Sequence, residues 1–441
     1  MMLSGWGGYP RIEAVPARPA AVEEVQACIG HATSLIGRGN GRAYGDAALN
    51  AVCVLDMRRM NRLVAFDEET GLLVCEAGLL LSELIDLFLP RGWFVPVTPG
   101  TRFVTVGGMV AANVHGKNHH VDGSFGDHVD WIDLALADGR LLRCSSIDEA
   151  DIFNATLGGM GLTGIIFRVA FFMRRIETDL VWQRVEKAAD LDVAMDLFEA
   201  NGAASYSVAW IDCLSTGARL GRSLVMLGEH LGRDELPAGR AGRAFATTWR
   251  QKMSLPFSPP ALMLNRYSVS AFNAAYYRRG RPGDRLVTLF SYFYPLDTIG
   301  NWNRLYGRDG FVQYQFVLPM ASSRTGLRAI LSRVAAAGVG SFLAVLKLFG
   351  AALQRPASLS FPREGYTLAL DFPVCADTFN LLLDLDRVVA AHGGRLYLAK
   401  DARGGPSILA GYEEVDAFRA VRARLDPLRR FSSLLSQRLD L

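Results

Sequence analysis

The chain has 441 residues, half of them hydrophobic, with a mean hydropathy of +0.16 and a formal net charge of +3. Such a length carries two or three domains with ample core, and so slight a positive balance excludes a dedicated nucleic-acid binder, which shows a strong basic patch. Six cysteines (Cys28, Cys53, Cys75, Cys144, Cys213 and Cys375) form no CxxC pair, and several lie in apolar runs. Buried thiols in a reducing compartment are expected. The first twenty residues lack an apolar signal core, and no run is long and uncharged enough to span a bilayer. The expected location is the cytoplasm or the periphery of the inner membrane.

In chain order, residues 22–35 have helical spacing, with Val22, Val25, Cys28, Ile29 and Ala32 on one face. A glycine loop follows: Gly37, Arg38, Gly39, Asn40, Gly41, Arg42, Ala43, Tyr44, Gly45 and Asp46. It reads as a diphosphate loop or an ordinary glycine-rich turn. It lacks the G-x-G-x-x-G dinucleotide fingerprint, because Arg42 stands at the third glycine position. Strands are expected over 51–57, 62–66 and 72–77, and an amphipathic helix over 79–89, stopped by Pro90 and Gly92.

The stretch 98–127 organises the chain. Pro99-Gly100-Thr101 is a turn, and Thr105, Val106, Gly107 and Gly108 offer a second close backbone approach. Glycines admit main-chain N–H groups to a ligand, and successive N–H groups form anion-binding concavities. Met109 to Ala112, Asn113 and Val114 are small or apolar, as a segment pressed on a flat ligand needs. His115, Lys117, Asn118, His119 and His120 then supply polar groups, so a phosphorylated cofactor with chemistry beside it is expected. The histidines, with His128, lie in a glycine-flanked loop with no carboxylate at helical offset, and no metal site is expected.

Strands at 130–136 and 140–144 flank an Asp138-Gly139 hairpin turn, and a third glycine loop at 158–164 precedes a strand over 165–172. From about Asp179 the texture changes. Helices are expected over 191–200, 323–337, 378–392 and 415–426, and strands over 205–212, 287–294, 310–318, 341–349, 367–372 and 395–399. Residues 232–264, rich in Arg, Pro and Ser, read as a long mobile segment. Gln313 and Gln315 share one strand face between apolar neighbours, which points to a polar cavity lining. Lys347 lies in an apolar strand and needs a partner, either an anionic ligand or a structural carboxylate. Lys400 ends a strand, either in a surface ion pair with Asp401 or facing a pocket.

Three segments, GRGNGRAYGD, PGTRFVTVGGMVAANVHGKNHHVDGSFGDHV and GGMGLTGII, together resemble the cofactor site of the vanillyl-alcohol-oxidase-type FAD-binding family. The likeness is closer still to its decaprenylphosphoryl-β-D-ribose 2'-oxidase branch, and extends over SGWGG, GFVQYQFVLP, KLFG and RLYLAKDAR to DPLRRF near the end. The resemblance implies an α+β, two-domain, PCMH-type flavoprotein. An FAD domain at 1–178 would be completed by 395–441, and a cap at 179–394 would present an antiparallel sheet to the flavin. It implies FAD contacts from the first glycine loop, Gly100, Thr105 to Gly108, Ala112 to His115, Ile166 and Tyr397, with FAD held non-covalently since that loop has no His or Cys. Pocket positions beside the flavin are His115, Lys117, Gln315, Lys347 and Lys400, with Tyr44, Trp210, Tyr294 and Gln313 as further substrate contacts. Lys400 or His115 would be the base.

The implied reaction is oxidation of the ribose C2' hydroxyl of a polyprenyl-phosphoryl ribose, with an NAD-dependent short-chain reductase completing epimerisation to arabinose and a peripheral membrane contact for access. Oxidation of another sugar alcohol or an aldonolactone is the alternative. Thr367 and Ala369 stand where close relatives carry Asn and Cys, and Ala344 and Leu346 where they carry Asn and Phe, so an altered pocket wall is expected.

Overall fold

The computed structural model describes residues 1–441 except 241, 259–264 and 342. Two antiparallel sheets organise it. The first contains β1 (Leu63–Phe66), β2 (Leu72–Glu76), β3 (Val129–Ala135), β4 (Leu141–Ser145) and β5 (Ile165–Phe172), in the order β1-β2-β5-β3-β4. The β3–β4 hairpin turns at Gly139, whose φ of +86° suits a residue without Cβ.

The second sheet contains β6 (Leu180–Ala188), β7 (Tyr206–Ile211), β8 (Ser223–His230), β9 (Gly283–Thr288), β10 (Phe311–Pro319), β11 (Ala344–Phe349), β12 (Gly365–Pro373) and β13 (Arg395–Leu396). Its order is β9-β6-β8-β7-β11-β12-β10-β13. Successive side chains alternate between faces. One face is apolar: Phe316, Leu346, Leu368 and Leu370 are all fully buried. Helices cover it, namely α4 (Leu191–Ala200), α6 (Met320–Ala337) and α7 (Ala376–Ala391), with Phe198 of α4 edge-on to Tyr366. The opposite face carries Gln313, Gln315, Lys347, Thr367 and Asp371, as the strand register requires.

Three shorter helices shape the first half: α1 (Val22–His31), α2 (Leu81–Phe88) and α3 (Val106–Ala111). The helix expected over 22–35 ends at His31, because Ile36–Arg38 instead pairs in parallel with Val54–Asp56 and Leu35 N–H donates to Arg430 O. That contact recruits the C-terminal segment to the first glycine loop. Arg438 completes the join, pairing with Asp46 at 2.9 Å and Asp401 at 2.6 Å.

Other expectations need correction. The strand expected over 287–294 stops at Thr288, whose hydroxyl accepts from Ser291 N–H and caps the short helix Leu289–Phe293. The strand expected over 395–399 is only Arg395–Leu396; a turn follows, closed by Lys400 N–H on Tyr397 O. The described part of 232–264 makes specific contacts with the rest of the chain. Asp179 receives Thr247 N–H and Arg240, Trp249 meets Phe103 edge-on, and Met253–Ser254 pairs with Ile299–Gly300. The apolar run 261–264 lies outside the described residues. The strands β6 and β8 and the helix α5 (Arg266–Arg279) have no counterpart in the sequence reading. In β6, exposed Trp182 and Arg184 alternate with buried Val181, Gln183 and Val185, a period broken by its charges.

Candidate active site

The first glycine loop is bent at Gly41, where φ is +63°. The main-chain N–H groups of Gly39, Asn40, Gly41, Arg42 and Ala43 meet no acceptor among the described residues. These residues are only partly buried, and successive unpaired N–H groups of this kind form an anion-binding concavity. Arg42 stacks on Trp6 at 3.9 Å from the ring centroid, and its Nε is buried without a partner among the described residues. The second approach works differently. The N–H groups of Val106, Gly107 and Gly108 donate to Leu79 O, Ala77 O and Thr105 Oγ1. Gly107 therefore contributes closeness rather than donors: a Cβ there would meet Ala77 at 2.8 Å.

Beyond α3 the chain turns at Asn113, a buried residue with φ of +36°. Its side chain accepts from Gly126 N–H at 2.8 Å and donates to Ser360 Oγ at 2.7 Å. These bonds hold a backbone shape that few L-residues adopt, and they aim Val114 and His115 inward. Tyr397 supports the same turn, its hydroxyl donating to Ala112 O at 2.9 Å while its ring stacks on Phe361.

The turn after β13 lays Lys400 on the glycine loop. Tyr44 N–H donates to Ala399 O, and a Cβ on Gly45 would collide with Asp401 O at 2.0 Å. Lys400 Nζ consequently sits 3.8 Å from the centroid of the Tyr44 ring. Facing it across the sheet, Gln313 donates to Asp371 Oδ1 at 2.6 Å, and Gln315 Nε2 lies 3.1 Å from His115 Nε2 and 3.2 Å from Thr367 Oγ1. Because Thr367 already donates to Phe316 O, its hydroxyl accepts from Gln315. That network assigns His115 as the neutral tautomer protonated on Nδ1, which has no partner.

Lys117, Lys347 and Lys400 are enclosed by protein yet keep accessible surface, as side chains lining an interior cavity do. None has a carboxylate within ion-pair distance among the described residues. Desolvation lowers Lys400 to about 7, with Asp371 opposing the shift and Lys347 adding to it. Desolvation lowers Lys347 to about 8, and desolvation followed by Lys347 lowers Lys117 to about 7. His115 is pushed well below the usual histidine range by desolvation, then by Lys347, His119 and Lys400. Desolvation raises Asp371 to about 7.

The structure thus brings together Tyr44, His115, Gln313, Gln315, Lys347 and Lys400. Lys117 lies at one margin, against the Tyr292 ring with its ammonium on Tyr292 O. Trp210 faces the same way from β7, opposite Val345. Tyr294 is not in the cluster; its hydroxyl bonds Thr98 Oγ1 at 2.6 Å in the interior. Ile166 is buried on β5 opposite Leu134, and Gly100 is exposed. His120 and His128 bond the backbone carbonyls of Ala204 and Asp122. Of the expected wall changes, Thr367 and Ala369 face the site, whereas Ala344 and Leu346 point to the helices. Sequence reasoning missed Asp371, a fully buried carboxylate at the centre of the polar face. Its signal was a lone acid in the apolar run Leu368 to Phe372.

Comparison with known proteins bears on this arrangement. An FAD binding domain model matches residues 13–145. The chain is 38% identical over 414 residues to decaprenylphosphoryl-β-D-ribose oxidase of Mycolicibacterium smegmatis, covering 92% of this chain and 89% of that one. The chain belongs to this family of FAD-binding oxidoreductases. An uncharacterised Streptomyces coelicolor protein from the mprA 5' region is 36% identical, over 82% of this chain and all of its own length. L-Gulonolactone oxidase of mouse is 32% identical over only 30% of each chain. As in other FAD-dependent oxidoreductases, the cofactor is FAD, and the residues present fit it. The unpartnered N–H row from Gly39 to Ala43 and the free Arg42 Nε are donors suited to a diphosphate. Among the described residues, no helix is long and apolar enough to cross a membrane.

Proposed function

We propose that the chain oxidises the C2' hydroxyl of a polyprenyl-phosphoryl-β-D-ribose to the 2'-keto sugar. The observation that carries the reading is the cluster of Lys400, Gln315 and His115 opposite the glycine loop, in a chain similar over nearly all its length to an oxidase of that substrate. FAD, when bound, accepts the hydride from the carbon bearing the hydroxyl. Lys400 takes the hydroxyl proton at Nζ: with a pKa near 7 it is available as a neutral amine at working pH. His115 is a poorer base, because its cation is disfavoured first by burial and then by the neighbouring Lys347; it holds Gln315, which orients the sugar. Lys117 and Lys347, which have no carboxylate partner among the described residues and are held protonated by a bound anion, take the donor's phosphate.

The first glycine loop and the segments around Gly107, Asn113 and Tyr397 hold FAD without a covalent bond, since residues 37–46 offer no His or Cys. In domain terms, residues 1–178 and 395–441 form the FAD-binding part and residues 179–394 the cap. The keto product needs a hydride donor to become the epimer, and an NAD-dependent short-chain reductase supplies that chemistry. A lipid-linked donor also requires peripheral contact with a membrane. Acid precipitation tests the cofactor linkage: yellow supernatant is expected, and flavin retained in the pellet would contradict it. Anaerobic mixing with a polyprenyl-phosphoryl ribose tests the reaction, with flavin bleaching and a 2'-ketone expected.

A further inference from the structure

The sheet face that carries Lys347 continues past Trp210. By register, Trp210 lies opposite Leu224 and Val208 opposite Met226, and Met226 in turn lies opposite Val185. Gln183, two residues from Val185 on the same face, pairs with Arg285 at the sheet's far edge. The face therefore changes character along its width, from polar at β10 and β12 to apolar at β8 and β6, and then to cationic at β9. Leu224 is two strands from Lys347 and, by register, level with Val345 two residues along, roughly 12 Å away at ordinary strand spacing and rise.

Helix α5 lies over the apolar part. Its Tyr276 ring packs 4.7 Å from Trp210, and Phe272 stacks on Tyr276 at 5.9 Å with 21° between the planes. Beneath it is a trough of about 320 Å³ floored by Val185, Leu224 and Met226 and walled by Tyr276, with Arg279, Arg281 and Arg285 at its rim. The outer surface of α5 is unusually aromatic for a water-facing helix: Tyr267 is 80% and Phe272 47% exposed. Exposed aromatics beside arginines suit a membrane–water interface, where rings enter the head-group level and cations meet anionic lipids.

We infer that this trough takes the apolar chain of the lipid-linked donor, and that its arginine rim seats against anionic head groups where the donor is drawn from the membrane. The inference rests on the substrate reading above. It places the membrane-facing surface at α5 and the β9 edge, not on the segment 232–258. An apolar chain leaving a sugar phosphate held by Lys347 passes Trp210 to reach Leu224 after roughly 12 Å, whereas the other face of the sheet is closed by packed helices.

Two experiments decide it. A prenyl phosphate with a photoreactive diazirine on its tail is illuminated with the FAD-loaded enzyme, and the labelled peptides are mapped. Label within 223–230 or 266–285 is expected; label within 232–258, or on neither, would overturn the inference. Met226→Arg, which fills the trough, should raise KM for a long-chain donor about tenfold or more, the loss of roughly two buried methylenes. A single-isoprene analogue should be unaffected. Equal effects on both donors, or none, would overturn the proposal. Should Met226→Arg lose FAD and fold, the exposed pair Arg279→Glu with Arg281→Glu replaces it. That variant should lose cosedimentation with phosphatidylglycerol vesicles, and unchanged cosedimentation would count against the rim. If wild-type enzyme oxidises neither ribose donor, the substrate reading fails, while tail labelling of the trough would still stand on its own.

Discussion

The strands β10 and β12 present two faces of equal burial and opposite character. Phe316, Leu368 and Leu370 fill one face against helices; Gln313, Gln315, Thr367 and Asp371 fill the other. Both sets are removed from bulk water, so depth does not separate structural from chemical roles. Burying polar groups costs free energy unless they are bonded, and here each is bonded into a network that ends on His115, Tyr306 and the neighbourhood of Lys400. The apolar face stabilises the cap, and the polar face holds protonation states that water would erase.

Mutations on the two faces should therefore separate stability from rate. Phe316→Ala, on the helix face, should destabilise the fold by about 3–5 kcal/mol through the cavity it leaves, with flavin reduction by the folded fraction little changed. A denaturant melt alongside stopped-flow reduction measures both. A rate loss without a stability loss would break the distinction.

Lys400→Met should do the reverse. FAD content and melting should stay near wild type while reduction by donor falls on the order of a hundredfold, as when an acid–base group is removed. Reduction at the wild-type rate would make Lys400 a bystander. The pH profile carries the same claim with a definite sign. Lys400 accepts a proton only as the neutral amine, so the rate should rise with pH through about 7 and fall below it. A profile flat across that range would remove Lys400 as the base.

Asp371→Asn should give a subtler effect. The carboxylate raises the Lys400 pKa against desolvation. Without it Lys400 loses its proton more readily, and the acid limb of the profile should move to lower pH. An unmoved limb would mean that Asp371 serves packing alone.

Much of this site is legible in the sequence because local rules write it. The glycine loop and the Gln313–Gln315 alternation each follow from spacing. The hairpin at Gly139 and the boundaries of β5 and α4 are read for the same reason. What stays hidden is non-local. Asp371 looks like an isolated acid until register sets it opposite Gln313, and Ala344 looks like pocket wall until β11 turns it to the helices. The expected mobile segment is bonded to Asp179, a contact that composition does not announce. Tyr294, attractive in an aromatic run, is drawn inside when Thr288 caps a helix instead of continuing a strand.

The most direct test of the central claim is anaerobic reduction of the bound flavin, followed spectrally, with a polyprenyl-phosphoryl ribose and L-gulonolactone offered separately. Full bleaching by the ribose donor, recovery of a 2'-keto sugar, and no bleaching by the lactone at comparable concentration are expected. Bleaching by the lactone with the ribose donor inert would contradict that claim.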